Sequence, residues 1–314
     1  MSCFHGPWII PGRSNAVPLW PPCTLWLKSG VDLRETLHSA VERLAKTRVP
    51  SPRMNAELLL MFTLDCDRAY LYAHPERELT QEESGRYGDA LARRAEGIPA
   101  QYIIGHQEFW GMDFIVSPAV LIPRPETEHV IETVLAACVG RASSPATLLR
   151  FVDVGTGSGC IALALAKELP QAEIHATEIS SEALDIARVN AARHQLEGRI
   201  QFQQRDLLQG LTGDSFDVVV SNPPYVGESE EDQVQLEVRK FEPRWAVFAG
   251  HTGLEVIERL IPQAHEALKP GGWLVMEISG TIVSGVKDLL RNWADVRITN
   301  DLQGIPRVAA ARKF

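Results

Sequence analysis

Leu148-Leu149-Arg150-Phe151-Val152-Asp153-Val154-Gly155-Thr156-Gly157-Ser158-Gly159-Cys160 is the stretch whose reading decides the fold. Leu149 to Val154 has the apolar, β-branched make-up of a buried strand, and Cys160 to Leu169 reads as a helix. Between them Gly155, Gly157 and Gly159 alternate with small polar residues, so the chain can turn tightly and a ligand can lie against bare backbone. A strand, a glycine turn and a helix in that order mark the point at which an open α/β sheet binds its ligand.

Downstream of this turn strands and helices alternate. Strands are expected at Ile174–Thr177, Ile200–Gln204, Asp217–Val220 and Trp273–Ile278, and helices at Ser181–His194, Gly253–Leu268 and Ile282–Trp293. Val296–Ile298 and Val308–Ala311 are expected to close the sheet as an antiparallel pair. Such alternation predicts a doubly wound, mostly parallel sheet.

Upstream the pattern is helical. Leu33, Leu37, Ala40, Val41 and Leu44 recur at spacings of three and four behind an Asp32 N-cap, a second helix starts at Ser51-Pro52, and a third at Thr80. Aromatic and β-branched residues from Phe109 to Val116, with Gly111 at the turn, predict a short hairpin. The expected organisation is an irregular extension over residues 1–30, a small helical domain over 31–105, a linking β-hairpin over 106–122 and an α/β domain over 123–314, with a small polar linker at 140–147.

The glycine turn alone does not choose a cofactor. A G-x-G-x-x-G pattern fails at Cys160, and the G-x-G-x-x-A reading from Gly157 to Ala162 is weak. Glu178, 19 residues after Gly159, stands where an acid would hold ribose hydroxyls, which suits NAD and S-adenosylmethionine alike. Asp206 can accept from an adenine amine and Leu207 can cover the ring, although a helix cap and a core leucine would look the same.

The fourth strand separates the two cofactors. Asp217 to Val220 leads into Ser221-Asn222-Pro223-Pro224-Tyr225. Two prolines have no N–H and fixed φ, so they hold a rigid corner. There the Asn222 amide oxygen and the Pro223 carbonyl offer two acceptors for one NH2 group, and the Tyr225 ring offers a wall for a planar partner. A hydride-transfer enzyme would place a polar catalytic group there, so a methyl donor, S-adenosylmethionine, fits better. An amide and the exocyclic amine of a base both remain as acceptors.

The 314 residues carry a formal net charge of −9, against the global basic field that drives non-specific nucleic-acid binding. The five cysteines, Cys3, Cys23, Cys66, Cys138 and Cys160, show neither C-x-x-C nor Cys/His ligand spacing, so reduced, metal-free thiols are expected. No run of 18 apolar residues suggests a membrane span, and residues 1–30 lack the basic start and apolar core of a secretion signal.

Asn222-Pro223-Pro224-Tyr225, the Gly155–Gly159 turn and Leu121-Ile122-Pro123-Arg124-Pro125-Glu126-Thr127-Glu128 together resemble the HemK/PrmC family of protein-glutamine methyltransferases, which modify peptide chain release factors. The resemblance runs from about Val31 to the C-terminus and includes Phe109-Trp110-Gly111 and Glu242-Pro243. It implies a Rossmann-like S-adenosylmethionine-dependent methyltransferase preceded by a small helical domain, acting in the cytoplasm as a monomer. The implied substrate is the glutamine of the release-factor Gly-Gly-Gln motif. The implied cofactor residues are Gly155, Thr156, Gly157, Ser158, Gly159, Glu178, Asp206, Leu207 and Asn222. Asn222, Pro223, Pro224 and Tyr225 are implied around the glutamine, with Asn222, Pro223 and Tyr225 in the catalytic roles. Methylation of a ribosomal-protein glutamine or of an adenine amine in DNA or RNA stands as the alternative.

Overall fold

A computed structural model of the chain describes residues 31–138, 148–211, 213 and 215–314. The expected extension at 1–30 and the expected linker at 140–147 lie outside the described residues. The chain divides into two compact units, Met1–Ala95 and Glu96–Phe314.

Four helices form the described part of the first unit: α1 (Leu33–Lys46), α2 (Pro52–Leu64), α3 (Arg68–Ala73) and α4 (Gln81–Ala95). Their starts follow local chemistry. Asp32 accepts from the Glu35 N–H at 2.8 Å, Pro52 opens α2, and Thr80 and Glu83 form a reciprocal capping box. Leu44, Leu59, Leu60 and Tyr87 are fully enclosed, and the Tyr87 hydroxyl donates to the Ala56 carbonyl at 3.0 Å.

The second unit begins with α5 (Ala100–Ile104) and the hairpin β1 (His106–Phe109) and β2 (Met112–Ile115). Trp110 and Gly111 both take positive φ, the geometry of a two-residue turn matched to strand twist. Phe109, Met112 and Phe114 pack into this unit's core. By compactness α5 and the hairpin therefore fall with the sheet, in the unit that begins at Glu96. A 3-10 turn (Pro125–Thr127) leads into α6 (Glu128–Cys138).

The sheet then unfolds along the chain as β3 (Arg150–Val154), α7 (Cys160–Glu168), β4 (Glu173–Glu178), α8 (Ser181–Arg193), β5 (Ile200–Gln204) and β6 (Phe216–Ser221). After it come α9 (Leu236–Phe241), α10 (Arg244–Val247), α11 (Glu255–Ala267), β7 (Leu268–Glu277), α12 (Val283–Leu289), β8 (Ala294–Asn300) and β9 (Pro306–Arg312). Strand order is β5-β4-β3-β6-β7-β9-β8, and β9 runs antiparallel to both of its neighbours. Alternate residues feed opposite faces: Phe151, Val218, Val220 and Val275 enter one apolar cluster, Val152, Val154, Val219, Leu274 and Met276 the other. Both faces are covered, as a parallel sheet requires. The order reverses between β3 and β6, so the crevice of the fold opens at the carboxyl ends of these two strands.

Candidate active site

Two sequence motifs end the two strands that flank this crevice. The turn Gly155–Gly159 follows β3, and Asn222-Pro223-Pro224-Tyr225 follows β6. Val154 and Ser221 are paired in register, and the Ser221 hydroxyl donates to the Val154 carbonyl at 2.7 Å. Residues 67 positions apart are thereby locked side by side at the mouth of the site.

The three glycines of the turn do different work. Gly155 and Gly157 sit at φ 71° and 55°, and a Cβ at either would meet no atom within 4 Å, so both leave open backbone for a ligand. At Gly159 (φ 84°) a Cβ would stand 2.7 Å from Leu163 Cδ1, so this glycine serves the close approach of α7 and α8. A cleft of about 290 Å³ is lined by Gly155, Thr156, Gly157 and Ser158 from this turn, but not by Gly159.

Glu178 lines the cleft at the end of β4. Its Oε2 accepts from the Gly157 N–H and its Oε1 from the Ser180 N–H, each at 3.0 Å, so the carboxylate is fixed before any hydroxyl arrives. Asp206 and Leu207 line the same cleft. Asp206 is ion-paired with Arg259 of α11, and Leu207 holds a φ of 50°, a region that disfavours a branched side chain. This strained leucine packs against the core cluster beneath α11.

On the opposite wall Asn222, Pro223 and Pro224 line the cleft. The Asn222 Nδ2 donates to Thr127 Oγ1 at 3.2 Å, which leaves Oδ1 as the free acceptor. Among the described residues no donor is seated on the Pro223 carbonyl. The corner is clamped from behind, because Val226 and Phe248 form a bridge and the Val226 N–H donates to the Val247 carbonyl at 3.1 Å. Tyr225 is placed differently from its neighbours. It does not line the cleft, its ring packs against the core, and its hydroxyl donates to Glu277 Oε1 at 2.9 Å.

Behind Asn222 lies a charge that sequence reasoning missed. Glu277, 2% exposed, ends β7 and accepts from Thr127 Oγ1 at 2.6 Å as well as from Tyr225. Burial pushes its carboxyl upward, and its charge together with burial pushes the Tyr225 phenol well above the ordinary tyrosine value. A charged residue closing the apolar run Trp273-Leu274-Val275-Met276 was the available signal. The segment Leu121–Glu128 is held by a second buried acid: Glu242, 5% exposed, pairs with Arg124 and accepts from the Ile122 N–H at 3.2 Å.

An open glycine cradle, a fixed acid at the end of the next strand, and a two-acceptor corner lining the same cleft fit an S-adenosyl group. The fold and site define a Rossmann-like, S-adenosylmethionine-dependent methyltransferase. The family described as PrmC N-terminal domain matches residues 35–105, and the Methyltransferase small domain matches 139–240. The release factor glutamine methyltransferase of Koribacter versatilis is 54% identical over 90% of this chain and 98% of its own length. That of Moorella thermoacetica is 44% identical over 82% and 89%. The chain belongs to the release factor glutamine methyltransferase family. The N-terminal domain of human METTL16, solved in complex with SAH, shares the fold with a TM-score of 0.51 at 20% identity, over 87% of this chain and 94% of that one.

Among the described residues no group of three or more His, Cys, Asp or Glu side chains is placed to hold a metal, and no helix is long and apolar enough to cross a membrane.

Proposed function

We propose that this chain methylates the side-chain nitrogen of the Gly-Gly-Gln glutamine of peptide chain release factors, acting as a monomer in the cytoplasm. The observation that carries this reading is the orientation of Asn222: its NH2 is engaged by Thr127, so its oxygen is presented to a donor in the cleft.

S-adenosylmethionine supplies, when bound, an electrophilic methyl on a sulfonium. Gly155 to Ser158 give it backbone to lie on, Glu178 takes the ribose hydroxyls, and Asp206 with Leu207 borders the adenine. Gly159 supports this turn by letting α7 pack closely.

An amide nitrogen is a weak nucleophile because its lone pair is delocalised into its carbonyl. Asn222 Oδ1 and the Pro223 carbonyl each accept one N–H of the glutamine, which turns the nitrogen lone pair toward the methyl. As the nitrogen bonds to the methyl carbon the carbon–sulfur bond breaks and the neutral thioether, S-adenosylhomocysteine, leaves; the same two oxygens would stabilise the positive charge on nitrogen. The proton of the now acidic nitrogen then passes to water, so no histidine base is required. Pro224 stiffens the corner. Tyr225, tied to Glu277, holds the corner's far end and sets where the glutamine can enter.

The acidic balance of the chain, −9, weighs against a flipped adenine as acceptor, which would bring a polyanion. The test is mass spectrometry of a release factor after incubation with the enzyme and S-adenosylmethionine. One added methyl on the Gly-Gly-Gln glutamine is expected. Methyl transfer to duplex or single-stranded DNA, with none to the release factor, would overturn the reading.

A further inference from the structure

The hydrogen bonds around Glu277 have a direction. Both oxygens of Glu277 accept, Oε2 from Thr127 Oγ1 at 2.6 Å and Oε1 from the Tyr225 hydroxyl at 2.9 Å, so each commits the proton of the group facing it. Thr127 has one proton. With that proton spent on Glu277, its oxygen can only accept, and the partner it accepts from is Asn222 Nδ2 at 3.2 Å. The two faces of a carboxamide are nearly identical in shape and opposite in function, and sterics alone would not choose between them. Here the choice is made 150 positions away from Thr127, by a residue that does not line the cleft.

Resting on the reading of Asn222 given under Proposed function, we propose that Glu277 is a positioning residue which, through Thr127, fixes the Asn222 amide with Oδ1 toward the substrate nitrogen. Thr127 and Glu277 are each 2% exposed, so water does not compete for either bond. The charges that face Glu277 are Arg307 of β9, whose Nε is engaged by Asp301 at 2.9 Å, and Glu126 of the 3-10 turn. Neither hydrogen-bonds Glu277 in place of Thr127 or Tyr225.

Glu277→Gln keeps shape and removes the direction. Its NH2, when it faces Thr127, makes the threonine donate toward Asn222 and turns the amide over, so a donor meets the substrate's own N–H groups. Thr127→Val removes the relay without changing charge, and Thr127→Ser keeps the hydroxyl. In full-length enzyme assayed on a release factor, Glu277→Gln and Thr127→Val should each lower kcat by about 10- to 100-fold. Affinity for S-adenosylhomocysteine, measured by calorimetry, should change by less than about threefold. Thr127→Ser should recover most of the turnover lost in Thr127→Val. The double variant Glu277→Gln/Thr127→Val should be no slower than the worse single one, because both cut one relay. Wild-type kcat in Thr127→Val, equal damage in Ser and Val, or multiplicative losses in the double variant would overturn the proposal. Absence of glutamine methylation by the wild-type enzyme would instead overturn the functional reading beneath it.

Discussion

At the scale of single residues, Asn222 has the sharpest consequence. If its oxygen stabilises the charge growing on the glutamine nitrogen, Asn222→Ala should lower kcat by about 100- to 1,000-fold. S-adenosylmethionine affinity should fall far less, and near-normal single-turnover rates would contradict the assignment. Asp153 makes a different prediction. It is 1% exposed beneath the glycine turn, and burial pushes its carboxyl up to about 7 despite hydrogen bonds from Thr156 Oγ1 and the Ala162 N–H. The folded chain thus keeps a proton that the unfolded chain has released above about pH 4. This group's contribution to stability is complete below that pH and is lost as pH rises toward 7. The stability of Asp153→Asn relative to wild type should therefore improve by about 2–3 kcal/mol between pH 5 and pH 8, read from urea unfolding at each pH. A constant difference would refute it. The Asn-Pro-Pro corner was legible because proline chemistry is local and sets geometry wherever it occurs. The partners of Asn222 and Tyr225 were not, because Thr127 and Glu277 lie 95 and 52 positions from them and nothing local links those positions.

At the scale of elements, the corner after β6 depends on how closely another loop can approach it. Gly253 sits at φ 83°, and a Cβ there would stand 2.6 Å from the Tyr225 carbonyl and 3.0 Å from the Gly227 nitrogen. Both are backbone atoms, so relief requires moving the corner itself. Gly253→Ala should cost about tenfold or more in kcat while cofactor affinity is kept, a split that steady-state kinetics and calorimetry resolve. The segment Leu121–Glu128 depends on Glu242 in the same way. Glu242→Ala leaves the Ile122 N–H and the Arg124 guanidinium without their acceptor. Arg124 is one-third exposed and can turn to water, so the expected loss is about 2 kcal/mol rather than the full cost of a stranded buried charge, measurable by urea unfolding. The starts of the capped, striped helices α1, α2 and α4 could be read from sequence to within a residue or two. The short α3, α5, α9 and α10, four to six residues each, could not, since they are too short to display a period. The helix expected at Ile282–Trp293 shortens to Val283–Leu289, and β7 starts at Leu268 rather than Trp273, because pairing with Phe216 draws Lys269-Pro270-Gly271-Gly272 into the sheet's edge.

At the scale of the whole molecule, alternation of strands and helices made the doubly wound sheet legible, while strand order came only with the structure. That β9 lies between β7 and β8 is decided by long-range pairing. The division into compact units follows packing for a similar reason. Tyr102 on α5 packs with Val116, Val120, Ile122, Ala183 and Ile186, so this helix follows the sheet although its sequence reads as one more turn of the helical segment. The four helices of the first unit enclose their own apolar residues, Leu44, Leu59, Leu60 and Tyr87 among them. If the helical unit recognises the release factor away from the glutamine, its removal should spare the chemistry and weaken only the protein substrate. Residues 96–314 alone should then bind S-adenosylmethionine as the full chain does and methylate a short Gly-Gly-Gln peptide with kcat/KM within a few-fold. On an intact release factor the same fragment should lose at least about tenfold in kcat/KM, because binding energy from remote contacts no longer serves to position the glutamine. Equal activity of fragment and full chain on the intact protein would place recognition within the sheet unit. Loss of peptide activity along with protein activity would mean that the helices support the site itself.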